Sequence, residues 1–216
     1  KEQSLFKQLP TYSVEISPVS FALSSLPMWY KNQEVIRNEV IEAFSPTIQF
    51  TAVSVPNPHL IGIVNDYYIK HQSHQFLLAQ YLNGENEYCA DGVNVSYVYP
   101  MTDDSIYVRT YERGVGFTNA CGTAMTASAL VANLNGIVKS NVVTVYNPGG
   151  FVKCVVNKED DEYKLQLIGN ATVKQLYSLL VSDNSFKWIR CESTNEQVEY
   201  EECIKFVKQQ TNPYLK

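Results

Sequence analysis

The sequence lacks the paired cysteines and clustered histidines that mark metal-binding and disulfide-rich proteins. No Cys-x-x-Cys pair occurs, and the three histidines stand apart from the cysteines. The cysteines are odd in number and widely scattered, at Cys89, Cys121, Cys154, Cys191 and Cys203. These absences argue against structural zinc and a disulfide framework and favour a reducing, cytoplasmic location. Nothing in the sequence indicates a metal, pyridoxal phosphate or nucleotide cofactor, so we expect none.

Concentrated positive charge and membrane signals are missing as well. The net charge is −5 without a basic cluster, which argues against nucleic acid as a partner. No apolar run approaches the ~20 residues of a membrane-spanning helix. The N-terminus has neither an apolar signal region nor an Arg-rich transit pattern. The 216 residues, 45% of them hydrophobic, suffice for one large domain or two small ones.

Short segments with β-branched residues and alternating polarity predict a chain rich in strands. Pro, Gly, Asn or Asp bounds most of them. The predicted strands lie near 12–16, 48–55, 60–64, 93–99, 106–111, 142–146, 151–156 and 163–168.

Apolar residues at helical spacing predict helices over 32–44, 73–83 and 121–135, with 176–181 and 196–209 helical as well. The helix over 121–135 is apolar nearly all round and closes at Gly136, so we expect it to be buried. The pattern predicts an α+β fold in which a mostly antiparallel or mixed sheet curls around this helix. Residues 1–175 then form one domain, and 176–216 form an appended helical tail or subdomain.

The run 111–125, YERGVGFTNACGTAM, places Cys121 between a Gly-rich approach and the start of the predicted buried helix. Unpaired N–H groups and the helix dipole stabilise a thiolate there, which predicts a thiol pKa below the usual value of about 8.5. The backbone N–H groups of Gly122 and Thr123 can hold a carboxylate. The alternative is an ordinary core cysteine, which is the common fate of a free thiol.

Polar residues elsewhere have both a functional and a structural interpretation. Arg113 and Glu112 can bind the carboxylate and the ammonium of a ligand, or simply be solvated charges. Asn57 and His59 can bind substrate and tune a proton affinity, or form a turn. Asn94 can bind substrate, or cap the start of a strand.

Taken in chain order, these segments resemble the diaminopimelate epimerase family. The resemblance rests on VPNPH, GVNV, YERGVG, ACGTA and NPGG, and it covers about residues 53–171. It implies a cofactor-independent isomerase that interconverts LL- and meso-diaminopimelate for lysine and peptidoglycan precursors. In this family two opposed cysteines exchange the α-proton of an amino-acid substrate.

The resemblance also implies a role for each candidate residue. Cys121 is one of the two acid/base thiols, and His59 lies beside the catalytic thiols. Gly122 and Thr123 supply carboxylate-binding N–H groups. The distal amino-acid head of the substrate is bound by Asn57, Asn94, Glu112 and Arg113.

The chain departs from the family pattern in three ways. It has Phe117 where members usually carry Glu, and Ala124 where they usually carry Gly. It also lacks the Cys-Gly-Asn helix start that supplies the first thiol, and it does not begin with Met. We therefore expect a C-terminal half whose partner is a missing N-terminal domain; pairing with a second copy is left open. The alternatives are a racemase of another amino acid and a binding or interaction domain without catalysis.

Overall fold

Ten strands form one mixed sheet in the computed structural model, which describes residues 1–215. The strands in chain order are β1 (Thr11–Ile16), β2 (Glu39–Val40), β3 (Gln49–Ser54), β4 (Pro58–Ile63), β5 (Asn94–Thr102), β6 (Ser105–Glu112), β7 (Gly116–Thr118), β8 (Val142–Asn147), β9 (Gly150–Glu159), β10 (Glu162–Asn170), β11 (Gln175–Ser182) and β12 (Ser185–Ser193). The helices are α1 (Asp66–Lys70), α2 (Ser73–Leu82), α3 (Gly122–Leu134) and α4 (Asn195–Leu215). All eight predicted strands are present, as are the helices predicted over 73–83, 121–135 and 196–209.

The strand order of the large sheet is β1-β10-β9-β8-β6-β5-β4-β3-β2, with β7 paired to β6. Two neighbouring pairs are parallel, β4 with β5 and β6 with β8, and the other pairs are antiparallel. Parallel neighbours need a crossover between them. Helices α1 and α2 make the first crossover, and β7 with α3 makes the second. The predicted α+β class with a mixed sheet is confirmed.

Helix α3 is the centre around which the sheet curls. Its residues from Ala124 to Ala132 are all buried, and it contacts strands from β3 across to β10. Its core cluster includes Val53, Val108 and Val145 from separate strands. A second cluster lies on the other face of the sheet, where α1 and α2 pack. The prediction of a buried helix enclosed by a curled sheet is confirmed.

The helix predicted over 32–44 is wrong. The only regular element there is the two-residue strand β2, and the backbone has positive φ at Asn32 and Asn38, which a right-handed helix excludes. Ile36, Ile41 and Phe44 are nevertheless buried. The apolar spacing thus comes from a loop that inserts side chains into the core.

The helix predicted over 176–181 is also wrong, because these residues belong to β11. This strand pairs antiparallel with β12, and Ser182 faces Ser185 across a two-residue loop, Asp183 and Asn184. Asp and Asn favour turns, and the runs on both sides contain β-branched and aromatic residues, so strand pairing overrides the helical spacing. Every residue of both strands is exposed.

Helix α4 follows this hairpin and packs against the sheet. Cys203, Val207 and Thr211 are its buried residues, and the Phe206 ring lies 6.1 Å from that of Phe151. Part of the predicted tail therefore belongs to the packed body, while the boundary predicted at 175/176 stays a prediction. None of the helices within residues 1–215 has the length and apolar character needed to cross a bilayer.

The core around α3 gives a stability prediction. Leu130 is fully buried on α3, whereas Leu77 on α2 is 64% exposed. We expect Leu130→Ala to lower the free energy of unfolding by about 2–5 kcal/mol, because it leaves a cavity. Leu77→Ala is the matched control and should cost less than about 1 kcal/mol. Urea unfolding followed by circular dichroism measures both, and equal losses would contradict the central role of α3.

Candidate functional site

Residues that are far apart in the sequence meet where the central strands β4 and β5 begin and β6 ends. Strands β4 and β5 are parallel and start there, with His59 paired to Asn94 in register. Strand β6 runs antiparallel to β5, and Tyr111 faces Val95, so the following residue, Glu112, ends β6 at the same place. The crossover of β7 and α3 brings Cys121 to this place as the residue that precedes α3. The structure therefore assembles the predicted site residues into a cluster.

A line of hydrogen-bonding contacts links the imidazole of His59 to the thiol of Cys121. The Nε2 atom of His59 lies 3.0 Å from the Asn57 Oδ1 and 3.1 Å from the Thr123 Oγ1. The Thr123 hydroxyl in turn lies 3.5 Å from the Cys121 Sγ. With the amide oxygen of Asn57 as an acceptor, the Nε2 must carry the ring proton. The Thr123 hydroxyl is then free to donate its own proton to the sulfur.

Burial keeps the His59 ring neutral. The residue has no exposed surface, and this desolvation lowers its pKa to about 3. Its Nδ1 atom is buried and has no hydrogen-bond partner within residues 1–215. A neutral ring with its proton on Nε2 matches this environment, since the bare Nδ1 only lacks a donor. His59 thus orients Asn57 and Thr123 without adding charge to the site.

The pKa of Cys121 is raised, against our prediction that it is lowered. Burial is the largest cause, and the nearby Glu112 carboxylate adds to it. The Thr123 hydroxyl and the Ala124 backbone N–H lower the pKa but do not outweigh burial. This N–H lies near the sulfur without closing a capping hydrogen bond. The resting state at neutral pH is therefore the protonated thiol.

The first turn of α3 leaves backbone donors available. The first intrahelical bond runs from the Met125 N–H to the Cys121 carbonyl at 3.0 Å. The N–H groups of Gly122, Thr123 and Ala124 precede this bond, so they have no acceptor within the helix. They form the positive end of the helix dipole and suit a carboxylate.

Glu112 and Arg113 are held separately. The Thr118 hydroxyl donates to Glu112, which fixes this carboxylate beside the thiol. The Arg113 backbone N–H donates to the Asn94 Oδ1 at 2.9 Å, and its Nη1 donates to the Asp91 carbonyl at 2.7 Å. The two charged groups form no ion pair within residues 1–215, as alternation along the strand predicts.

The departure at Phe117 has a structural explanation. Its ring lies 5.3 Å from that of Tyr111 and 6.4 Å from that of Phe76. The Arg109 guanidinium lies 5.7 Å from the same ring. These contacts make Phe117 part of an aromatic cluster with a cation–π partner. Ala124, the second departure, is fully buried in the first turn of α3.

Sequence reasoning missed two side chains of the site's support. Thr118 holds Glu112, and it reaches that residue because β7 folds back onto β6. Asn147, at the end of β8, donates to the sulfur of Met125 in the first turn of α3. No local pattern marks either residue, although NPGG, which begins at Asn147, is one of the segments that carry the resemblance. Within residues 1–215, no group of three or more His, Cys, Asp or Glu side chains is placed to bind a metal ion.

Comparison with known proteins adds relatives to this geometry. The model of the family described as Diaminopimelate epimerase matches residues 51–174. The diaminopimelate epimerase of Listeria monocytogenes serotype 4b is 47% identical over 211 residues, which are 97% of this chain and 64% of that protein. The one from Enterococcus faecalis is 43% identical over 212 residues, which are 95% and 64% of the two chains. The chain thus spans slightly less than two thirds of the length of these relatives. A crystal structure of the Bacillus anthracis phenazine biosynthesis protein, PhzF family, aligns at 12% identity with a TM-score of 0.39, over 56% of this chain and 37% of that one.

The contact between Thr123 and Cys121 can be tested chemically. Cys191 is exposed and the other three cysteines are buried, so Cys191→Ser leaves Cys121 as the reactive thiol. In this background, Thr123→Val should raise the pKa of Cys121 further, because it removes a donor to the thiolate. The pH profile of iodoacetamide alkylation, measured on the Cys121 peptide by mass spectrometry, should move to higher pH. The control is Thr144→Val on β8, and the idea fails if both variants give the parent profile.

The neutral state of His59 predicts a pH-dependent stability. Its folded pKa of about 3 lies below the unfolded value of 6.5, so the unfolded state binds more protons between these limits. The free energy of unfolding should therefore fall as the pH drops from 6.5 towards 3, by up to about 1.4 kcal/mol per pH unit from this group. Urea unfolding at pH 7 and 4.5 measures the change. His59→Gln should reduce it, the exposed His71→Gln should not, and the reverse pattern would contradict the assignment.

Proposed function

The chain belongs to the diaminopimelate epimerase family, and from this premise we propose that it carries one of the two proton-transferring halves of an amino-acid epimerase active site. The proposed reaction interconverts LL- and meso-diaminopimelate without a cofactor. The observation that carries the proposal is the linked set of Asn57, His59, Thr123 and Cys121 at the start of a buried helix. Free thiols at all five cysteines accord with a reducing, cytoplasmic site of action.

Cys121 is the proposed proton carrier. Its raised pKa keeps the thiol protonated at rest, so that it holds a proton to donate to the α-carbon of the substrate carbanion and is left as a strongly basic thiolate. In the reverse direction this thiolate removes the α-proton and becomes a thiol again. In each catalytic cycle the Thr123 hydroxyl stabilises the thiolate by donating a hydrogen bond to it, while the Glu112 carboxylate favours the protonated sulfur. Thr123 thus favours the thiolate and Glu112 the thiol, in an environment where burial also favours the thiol.

The N–H groups at the start of α3 are the proposed site of the reacting carboxylate. Gly122 and Thr123 present donors that lack intrahelical acceptors, next to the sulfur of Cys121. When the α-carbon loses its proton, negative charge spreads onto this carboxylate, and fixed donors stabilise the charge without having to reorganise. The same N–H groups then bind the substrate carboxylate and make the α-proton more acidic.

Four residues at the strand ends are the proposed site of the distal amino-acid head. The Arg113 guanidinium supplies a positive charge for the distal carboxylate, and Glu112 supplies a negative charge for the distal ammonium. Asn94 has its oxygen on the Arg113 backbone, which leaves its amide nitrogen to donate. Asn57 is fixed by His59 in the same way, through its oxygen. A substrate with two amino-acid heads uses both ends of this cluster.

We further propose that the opposing thiol comes from polypeptide outside these 216 residues, in an N-terminal domain of the same protein. The other four cysteines do not fit the role. Burial raises the pKa of Cys89 and Cys154 to about 12, and that of Cys203 to about 11. Cys191 lies on the exposed β11–β12 hairpin, which forms a sheet separate from the strands that carry the site.

Hydrogen exchange at the substrate tests the proposed reaction. The native protein that carries this sequence should wash deuterium from D2O into the α-position of LL-diaminopimelate, as followed by proton NMR. Cys121→Ala should slow this exchange by about 100-fold or more, because one of the two proton carriers is removed. Cys191→Ser is the control and should keep the parent rate. An undiminished rate in Cys121→Ala would rule out the proposed role.

A further inference from the structure

A tight turn contacts residues 119–125, called here the catalytic segment, on both sides of Cys121. This turn is Asn147-Pro148-Gly149-Gly150, the NPGG turn between β8 and β9. The Gly149 N–H donates to the Asn119 carbonyl at 2.8 Å, two residues before the thiol. Asn147 contacts Met125, four residues after it. The position of the thiol therefore depends on the position of the turn.

The approach between the turn and the catalytic segment leaves no room for a side chain. A Cβ atom on Gly149 would lie 2.9 Å from the Asn119 carbonyl oxygen and 3.1 Å from its carbonyl carbon. The first distance is shorter than Cβ atoms show to unbonded atoms, and the second is tighter than most such contacts. The two backbones are thus in direct contact, and a shift of the turn is transmitted to Asn119.

Helix α4 holds this turn from outside. The Tyr200 hydroxyl donates to the Gly149 carbonyl at 2.8 Å, so Gly149 is held by α4 through its carbonyl and by Asn119 through its N–H. Further along α4, the side chains of Cys203 and Val207 are buried, and the Phe206 ring lies 5.5 Å from that of Phe6. The helix is therefore a fixed support, and the Tyr200 hydroxyl is its polar contact with the turn.

We propose that Tyr200 is a positioning residue for Cys121, acting through the NPGG turn. The Tyr200 hydroxyl holds the Gly149 carbonyl, and the Gly149 N–H holds the Asn119 carbonyl. The position of Asn119 in turn determines the position of Cys121, two residues later. The tail helix is in this way a structural part of the site, although none of its residues belongs to the proposed proton-transfer or substrate-binding groups. Loss of the hydroxyl frees the turn to move away and admits water to the thiol.

The variant Tyr200→Phe isolates this hydroxyl. It keeps the aromatic ring under the Lys174 ammonium, which lies 4.7 Å from the ring centroid. Tyr214→Phe is the matched control, since this tyrosine lies on the same helix, contacts the Tyr99 ring at 6.2 Å and makes no side-chain hydrogen bond within residues 1–215. Gly149→Ala approaches the same contact from the turn, because the added methyl group meets Asn119.

The first readout is the alkylation of Cys121 by iodoacetamide, followed by mass spectrometry in the Cys191→Ser background. Tyr200→Phe and Gly149→Ala should raise the rate at pH 8 by about threefold or more. They should also move the pH profile to lower pH, because burial is the main cause of the raised pKa. Tyr214→Phe should match the parent. A Tyr200→Phe profile identical to the parent in rate and midpoint would overturn the proposal.

The second readout rests on the proposed function. Tyr200→Phe should lower kcat for deuterium exchange into diaminopimelate by about tenfold, with KM changed less than about twofold, since a misplaced thiol affects proton transfer more than binding. An unchanged kcat in an active protein would overturn the proposal. The exchange is measured in the native protein that carries this sequence. If that protein exchanges no deuterium before substitution, the proposed function fails, while the alkylation comparison still decides the role of Tyr200. Thermal unfolding of each variant identifies any that does not fold.

Discussion

Enclosure of α3 by the curled sheet is the constraint on which the rest of the structure depends. Residues from Ala124 to Ala132 lose contact with solvent on every side of the helix, which fixes its axis and therefore its first turn. The strands that surround it cannot be flat, because they must approach a single cylinder from several directions. The two parallel pairs, β4 with β5 and β6 with β8, follow from the crossovers that this arrangement needs.

The same enclosure sets the electrostatics of the site. A helix start that faced water would stabilise a thiolate, but here the sulfur of Cys121 lies where desolvation outweighs its hydrogen-bond donors. His59 carries no charge to be desolvated, since it stays neutral and acts through hydrogen bonds alone. Charge is confined to Glu112 and Arg113 at the strand ends, where the guanidinium retains solvent contact. The thiol and the imidazole are thus uncharged at rest, and the Glu112 carboxylate is a charge beside the thiol.

Much of this could be predicted from the sequence where a local pattern and the tertiary environment agree. The apolar run over 121–135 predicted both a helix and its burial, and alternation located the eight strands. Prediction failed where context decides. Ile36, Ile41 and Phe44 have helical spacing but reach the core from a loop with positive φ angles. The sign of the Cys121 pKa shift also depends on burial, which no spacing of residues encodes. Thr118 reaches the site because β7 pairs with β6, and Tyr200 because α4 packs against the NPGG turn. Both contacts join residues that are distant in the sequence, which local patterns do not predict.

The β11–β12 hairpin has a lower local stability than the large sheet. Its strands share backbone hydrogen bonds with each other but bury none of their residues, so they lack the packing that makes the large sheet cooperative. Breaking these bonds exposes little new apolar surface and leaves α3 undisturbed. We therefore expect the amides of this hairpin to exchange quickly through local opening, and those of α3 to exchange only when the whole domain unfolds.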